Sequence, residues 1–212
     1  MIRSLAAGQK AALVINECQL GIIDPVYAQF PALAEQCRAR GIVDNIAALI
    51  AAFRRAGLPV VYTPAALRPD MADKLANSLI SSVSIKAKIM VAGAKAVEHP
   101  PQIAPQADDY IIQRGSGLIA FLGTTLDATL RRLKVETVVL TGMSTNVGIP
   151  GNAMAAVEFG YHVVIPEDCI AAGDAEGHRV IVEQQLKMIS TVTSSGEVMA
   201  ALQGRATGCN RP

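Results

Sequence analysis

Val139-Leu140-Thr141-Gly142-Met143-Ser144-Thr145-Asn146-Val147-Gly148, continued by Ile149-Pro150-Gly151, reads as a buried strand that breaks into a turn of small residues and then opens a helix. Such a turn gathers backbone N–H groups at a helix N-terminus, where an oxyanion or a polarised carbonyl can be held. Ser144, Thr145, Asn146, Val147 and Gly148 are the candidate residues of that cradle.

Working outward, the same alternation of apolar strand and helix repeats along the chain. Ala11 to Asn16 is an apolar run that stops at Glu17-Cys18-Gln19. Gly21 to Pro31 reads as loop. Leu33 to Ala56 carries helical spacing, with Ile42, Ile46, Leu49, Ile50 and Phe53 on one face, and Gly57 closes it before the strand Val60–Thr63. Met71 to Ala96 has an irregular helical pattern. Further strands are expected at Tyr110–Gln113, Thr137–Thr141, Tyr161–Pro166 and Ser190–Thr193. Helices are expected at Leu126–Leu133, Pro150–Phe159, Ala175–Ile189 and Glu197–Leu202, with a tail from about residue 203. This order predicts an α/β fold: one domain over residues 1–212, three α/β/α layers, and a central, mainly parallel, Rossmann-like sheet. Ligands of such sheets sit beyond the C-terminal strand ends, where Glu17, the Gln113–Arg114 turn, the Ser144–Gly148 turn and Asp168 fall.

Composition narrows the partners. The 212 residues are 51% hydrophobic and 17% charged, with a formal net charge of +1 and no basic run. That predicts an ordered protein with no nucleic-acid or anionic-membrane partner. No apolar run approaches the roughly 18–20 residues of a membrane span, and residues 1–10 lack a long apolar segment, so a cytoplasmic location is expected. Cys18, Cys37, Cys169 and Cys209 show no paired spacing and are expected as free thiols. With His99, His162 and His178 they make no metal-ligand pattern, and neither metal nor cofactor is expected.

Four blocks at these strand ends, taken in order, resemble the isochorismatase-like cysteine hydrolases. Leu13-Val14-Ile15-Asn16-Glu17-Cys18-Gln19 is similar to that family's first strand, which ends in an acid followed two residues later by Gln. Phe121-Leu122-Gly123-Thr124-Thr125-Leu126-Asp127 is similar to its "AF.GT.LD" block. Thr141 to Val147 is similar to its "TG..TNVC" turn, and Gly160–Val163 with Pro166-Glu167-Asp168 extends the likeness. The resemblance implies the isochorismatase-like fold, a small-molecule substrate and a homodimer or homotetramer. It also implies an Asp, a Lys and a nucleophilic Cys, and this chain departs at all three. Glu17 stands for the Asp. The Lys position falls on Gly115, with Arg114 one residue earlier. The Cys position is Gly148, which has no side chain to attack with. The resemblance to the isochorismatases proper, which carry Gly there and cleave a vinyl ether by protonation, offers a precedent.

Glu17 and Arg114 are therefore the candidate catalytic residues: Glu17 as proton donor or as the base that activates water, Arg114 as a carboxylate clamp that holds its proton too tightly to be a base. The function expected is hydrolysis of a vinyl ether, an amide or a related C–O or C–N bond without a cysteine nucleophile. The alternative is a catalytically silent relative that binds a small ligand or a partner protein. A third reading moves the nucleophile to Ser144, Thr145 or Cys169, although the sequence identifies no His or Lys to serve as a base for the two hydroxyls. The Val61–Ala66 segment, where the nicotinamidase branch binds metal through His and Asp, contains no His.

Overall fold

A computed structural model describes residues 2–6 and 8–208, with side chains through residue 203. Its centre is β1 (Ala11–Asn16), buried at every position. A strand that is apolar without alternation has both faces covered, which is the signature of the middle of a parallel sheet. β1 lies between β2 (Val60–Thr63) and β4 (Thr137–Met143). β3 (Tyr110–Ile111) flanks β2, while β5 (His162–Pro166) and β7 (Thr191–Thr193) continue beyond β4. A two-residue strand, β6 (Ile170–Ala171), pairs with the end of β4. All the pairings are parallel, and the order is β3-β2-β1-β4-β5-β7.

Two cores flank the sheet, and alternate residues of β1 enter each. Ala11, Leu13 and Ile15 meet Ile42, Ile46, Leu49 and Phe53 of α3 (Ile42–Arg55), with α2 (Pro31–Ala39) and α9 (Ser195–Gly208) on the same side. Ala12 and Val14 face the other core, built from α5 (Leu126–Arg132), α6 (Gly148–Glu158) and α7 (Ala175–Ile181). The chain of α7 runs on through a π-type turn (Val182–Leu186) into α8 (Lys187–Ile189). The result is the expected three-layer α/β/α arrangement.

Several element boundaries differ from the sequence reading. The helix expected over Leu33–Ala56 is two helices, because Gly41 takes the left-handed conformation (φ +63°) and redirects the chain before α3. The expected loop at residues 21–31 contains a one-turn helix, α1 (Leu20–Ile23). Within Met71–Ala96 the α-helix covers only α4 (Leu79–Ala87), started by Ser78, whose hydroxyl accepts from the Ser81 N–H at 3.2 Å. The third strand shrinks to Tyr110–Ile111, both exposed at the sheet edge. The C-terminal helix continues to Gly208, past the tail boundary expected at 203; residues 209–212, including Cys209, lie outside the described residues. No described helix is long and apolar enough to cross a membrane.

Candidate active site

The strand order places a topological switch between β1 and β4: the chain proceeds from β1 toward β2 and β3 on one side, then returns to β4 on the other. The C-terminal ends of those strands diverge there and leave a crevice. A cavity of about 100 Å³ opens in it, walled by Glu17, Arg114, Ser144, Val147 and Gly148. Ile22, Phe30, Leu33, Leu67 and Met90 make much of the remaining wall, and Lys74 reaches it from the loop between β2 and α4.

Glu17 follows the last residue of β1 and holds a left-handed backbone (φ +50°), a conformation that costs a non-glycine residue about 1 kcal/mol. Its neighbours fix it there. The fully buried Gln19 amide donates to Ala65 O at 2.8 Å and Val97 O at 3.0 Å and accepts from the Ala65 N–H at 2.8 Å. Arg114 sits just past β3, where the Arg114 N–H donates to Pro64 O at 3.1 Å and the Ala66 N–H donates to Arg114 O at 3.0 Å. Its guanidinium is 3% exposed, ion-paired with the Glu17 carboxylate, and donates to Gly117 O. Burial pushes Arg114 down to about 10, so it stays charged at neutral pH. Gly115 lies against the Asp73 carboxylate: a Cβ there would come within 2.6 Å of Asp73 Oδ2.

The turn after β4 rests on a buried amide network. Asn16 Nδ2 donates to Met143 O, and Asn16 Oδ1 accepts from Thr63 Oγ1 at 3.1 Å and from Asn152 Nδ2 at 3.4 Å. Asn152 also donates to Gly148 O at 2.7 Å and accepts from the Ala120 N–H at 2.8 Å. Gly148 is enclosed by this network. A Cβ built on it would lie 2.6 Å from Met143 O and 2.8 Å from Asn16 Nδ2, nearer than real Cβ atoms pack, so the position has no room for any side chain without rearrangement. Within the turn the Thr145, Val147 and Ile149 N–H groups are used, on Ala171 O (2.8 Å) and on Ser144 O (3.2 and 2.9 Å). The Gly148 N–H, in the cavity wall at the start of α6, has no backbone acceptor among the described residues.

The candidate cradle residues therefore separate. Ser144, Val147 and Gly148 line the cavity, whereas Thr145 is fully buried away from it and Asn146 is exposed outside it. Thr145 does have a histidine partner that the sequence did not reveal: Thr145 Oγ1 is 3.0 Å from His178 Nδ1, and His178 Nε2 is 3.4 Å from Glu167 Oε1. With no access to the cavity, this chain of contacts ties the turn to α7. Cys169 is fully buried and its thiol is pushed up by that burial, which leaves it inert as a nucleophile. Asp168 caps α9, accepting from the Ser195 N–H at 2.8 Å and Oγ at 2.6 Å. Asp174 caps α7, accepting from the Gly177 N–H at 2.6 Å. Thr124 and Asp127, from the second motif block, hold the start of α5 and the Tyr161 hydroxyl. Among the described residues no group of three His, Cys, Asp or Glu is placed to hold a metal ion.

A family model described as the isochorismatase domain matches residues 11–197. The chain belongs to the isochorismatase family. It is 33% identical over 192 residues to the uncharacterized isochorismatase family protein YecD of Escherichia coli O157:H7, covering 90% of this chain and 95% of that one. It is 27% identical over 175 residues to the maleamate amidohydrolase of Pseudomonas putida, covering 81% and 76%. Among solved structures, an isochorismatase family protein from Burkholderia thailandensis superposes with a TM-score of 0.77 at 27% identity, covering 93% of this chain and 98% of that one. In this isochorismatase-family hydrolase the Glu17–Arg114 pair and the closed Gly148 position share one cavity wall.

Proposed function

We propose that this isochorismatase-family protein hydrolyses a C–N bond next to a carbonyl in a small molecule by direct attack of water, with Glu17 as general base. The observation that carries the reading is the ion pair of the half-buried Glu17 with the buried Arg114, beside a Gly148 that admits no side chain without rearrangement. Paired with the Arg114 guanidinium, Glu17 presents a carboxylate, which can accept a proton from water. That supports a base over the proton donor that a vinyl ether would require. In the sequence proposed, Glu17 takes a proton from water as the hydroxide adds to the carbonyl carbon. The oxyanion is received by the Gly148 N–H. The C–N bond then breaks as Glu17 returns the proton to the leaving nitrogen, so that amide and water give acid and amine. Arg114 orients Glu17 and compensates its charge. The relative named for maleamate supports an amide as the bond class.

Turnover of a panel of amides, ureides, lactones and vinyl ethers, followed by NMR with wild type and Glu17→Gln, tests this. Amide turnover lost in the variant, with no acyl adduct by mass spectrometry in a single turnover, is the expected result. An adduct on Ser144, or turnover that survives Glu17→Gln, sinks the mechanism. Specific binding of panel members without product supports the silent-relative reading. A homo-oligomer is also proposed, supported by the exposed apolar side chains Leu122, Met154, Val157 and Phe159; light scattering on the eluted protein measures it.

A further inference from the structure

Lys74 is the one charged side chain of the cavity wall that the mechanism does not use. Glu17 and Arg114 neutralise each other, so one carboxylate against two cations leaves a surplus of one positive charge in the wall, and it resides on Lys74. No ion pair engages Lys74 among the described residues. The carboxylate next to it in sequence, Asp73, is not part of the cavity wall: it lies against Gly115 and acts on Lys74 through space without forming an ion pair. The backbone that carries Lys74 is built: Arg68 pairs with Asp70 at 2.6 Å, the Met71 N–H donates to Arg68 O, and the Lys74 N–H donates to Met71 O, each of these two at 3.0 Å. At the loop base, the Leu67 N–H donates to Met90 O at 2.7 Å and the Ala92 N–H donates to Leu67 O at 2.9 Å. A cation held against a largely apolar wall, with no ion pair and only the through-space pull of Asp73, pays for part of its desolvation, and a ligand anion offsets that cost. Burial lowers the lysine from its ordinary value accordingly.

We propose that the cavity selects a small organic monoanion, a carboxylate on an apolar body, and that the Lys74 ammonium receives the carboxylate. Monoanion follows from the charge balance, since a dianion would leave one negative charge uncompensated among Ile22, Phe30, Leu33 and Met90. A single ammonium also suits a carboxylate, whereas the one guanidinium fork in the wall is already occupied by Glu17. The proposal rests on the hydrolytic reading only for where the scissile bond lies.

Calorimetric titration of butyrate and its neutral isostere butyramide tests it in wild type, Glu17→Gln, Lys74→Gln and Lys74→Arg, with thermal melts to confirm folding. Butyrate is expected to bind wild type and Glu17→Gln at least about tenfold more tightly than butyramide. Lys74→Gln is expected to lose that preference and Lys74→Arg to keep most of it. In the activity arm, the kcat/KM ratio of succinamate to succinamide falls by a similar factor in Lys74→Gln, through KM. Equal affinity for the two ligands in wild type, binding of neither, or a preference that survives Lys74→Gln overturns the proposal. If Glu17→Gln keeps turnover while butyrate preference depends on Lys74, the base assignment fails and the anion site stands; a dead Glu17→Gln without butyrate preference gives the reverse.

Discussion

Gly148 carries two consequences at once. Having no side chain, it offers the turn no nucleophile of its own, as the proposed water mechanism requires; being enclosed by Met143 O and Asn16 Nδ2, it leaves no room for an added side chain without rearrangement. Placing a cysteine there with Gly148→Cys is therefore expected to destabilise the protein by about 1–3 kcal/mol through overpacking. Chemical denaturation measures that loss, and mass spectrometry with an amide substrate is expected to find no acyl-cysteine. A stable Gly148→Cys that accumulates such an adduct would show the network to be yielding. Glu17→Gln keeps the shape of the side chain and removes its basicity, so kcat is expected to fall by about 10²–10⁴-fold, with a lower melting temperature because Arg114 loses its counter-charge. A fall in activity no larger than the loss of folded protein would mark Glu17 as structural.

Among the elements, α9 and α3 show how polar residues at strand ends serve the scaffold. Asp168 lies at the sheet edge where functional carboxylates gather, yet both of its oxygens are occupied by Ser195 at the start of α9. Asp168→Ala is expected to cost about 1 kcal/mol, as loss of a helix cap does, and to leave kcat/KM within about twofold. Calorimetry with parallel kinetics separates the two, and a large kinetic defect with intact stability would bring Asp168 into the site. Gly41 is the hinge between α2 and α3, and its left-handed backbone is strained for any residue with a Cβ. Gly41→Ala is expected to destabilise by about 1 kcal/mol or more, visible as a lower denaturation midpoint at unchanged slope. An unchanged midpoint would mean that the chain turns there without needing glycine.

For the whole molecule, acid is the condition that tests the burial of its histidines. His99 packs edge-on against the fully buried Tyr62 ring, with centroids 5.1 Å apart, and burial pulls it down to about 4 from its ordinary 6.5. His178 is lowered as well, by burial first and then by the nearby Arg40, against the opposing pull of Glu167. A histidine whose folded value lies below its unfolded value leaves the folded state with fewer bound protons. Its contribution is intact above about pH 6.5 and is lost as the pH falls toward 4, at up to about 1.4 kcal/mol per unit. Stability measured from pH 7 to 4 is expected to decline through this window, and His99→Gln to flatten the decline. A curve unchanged by that substitution would place the acid sensitivity elsewhere.

The apolar runs and their periods determined the α/β class, the parallel sheet and the strand ends at which a site would form, because burial of strands on both faces leaves its mark in consecutive residues. The motif blocks were equally local, and they put Glu17 and Gly148 in view. Arg114 was visible only as a neighbour of Gly115, and the fold selected it by seating its guanidinium against Glu17. Asn16 and Asn152 were hidden as single polar residues inside strand and helix patterns, although they hold the turn and close Gly148. Lys74 lies in an irregular loop with no period to mark it, and His178 meets Thr145 from 33 residues away. Those partnerships depend on which segments the sheet order brings together. Periodicity records what each segment buries, and only the tertiary structure decides which side chain stands opposite which.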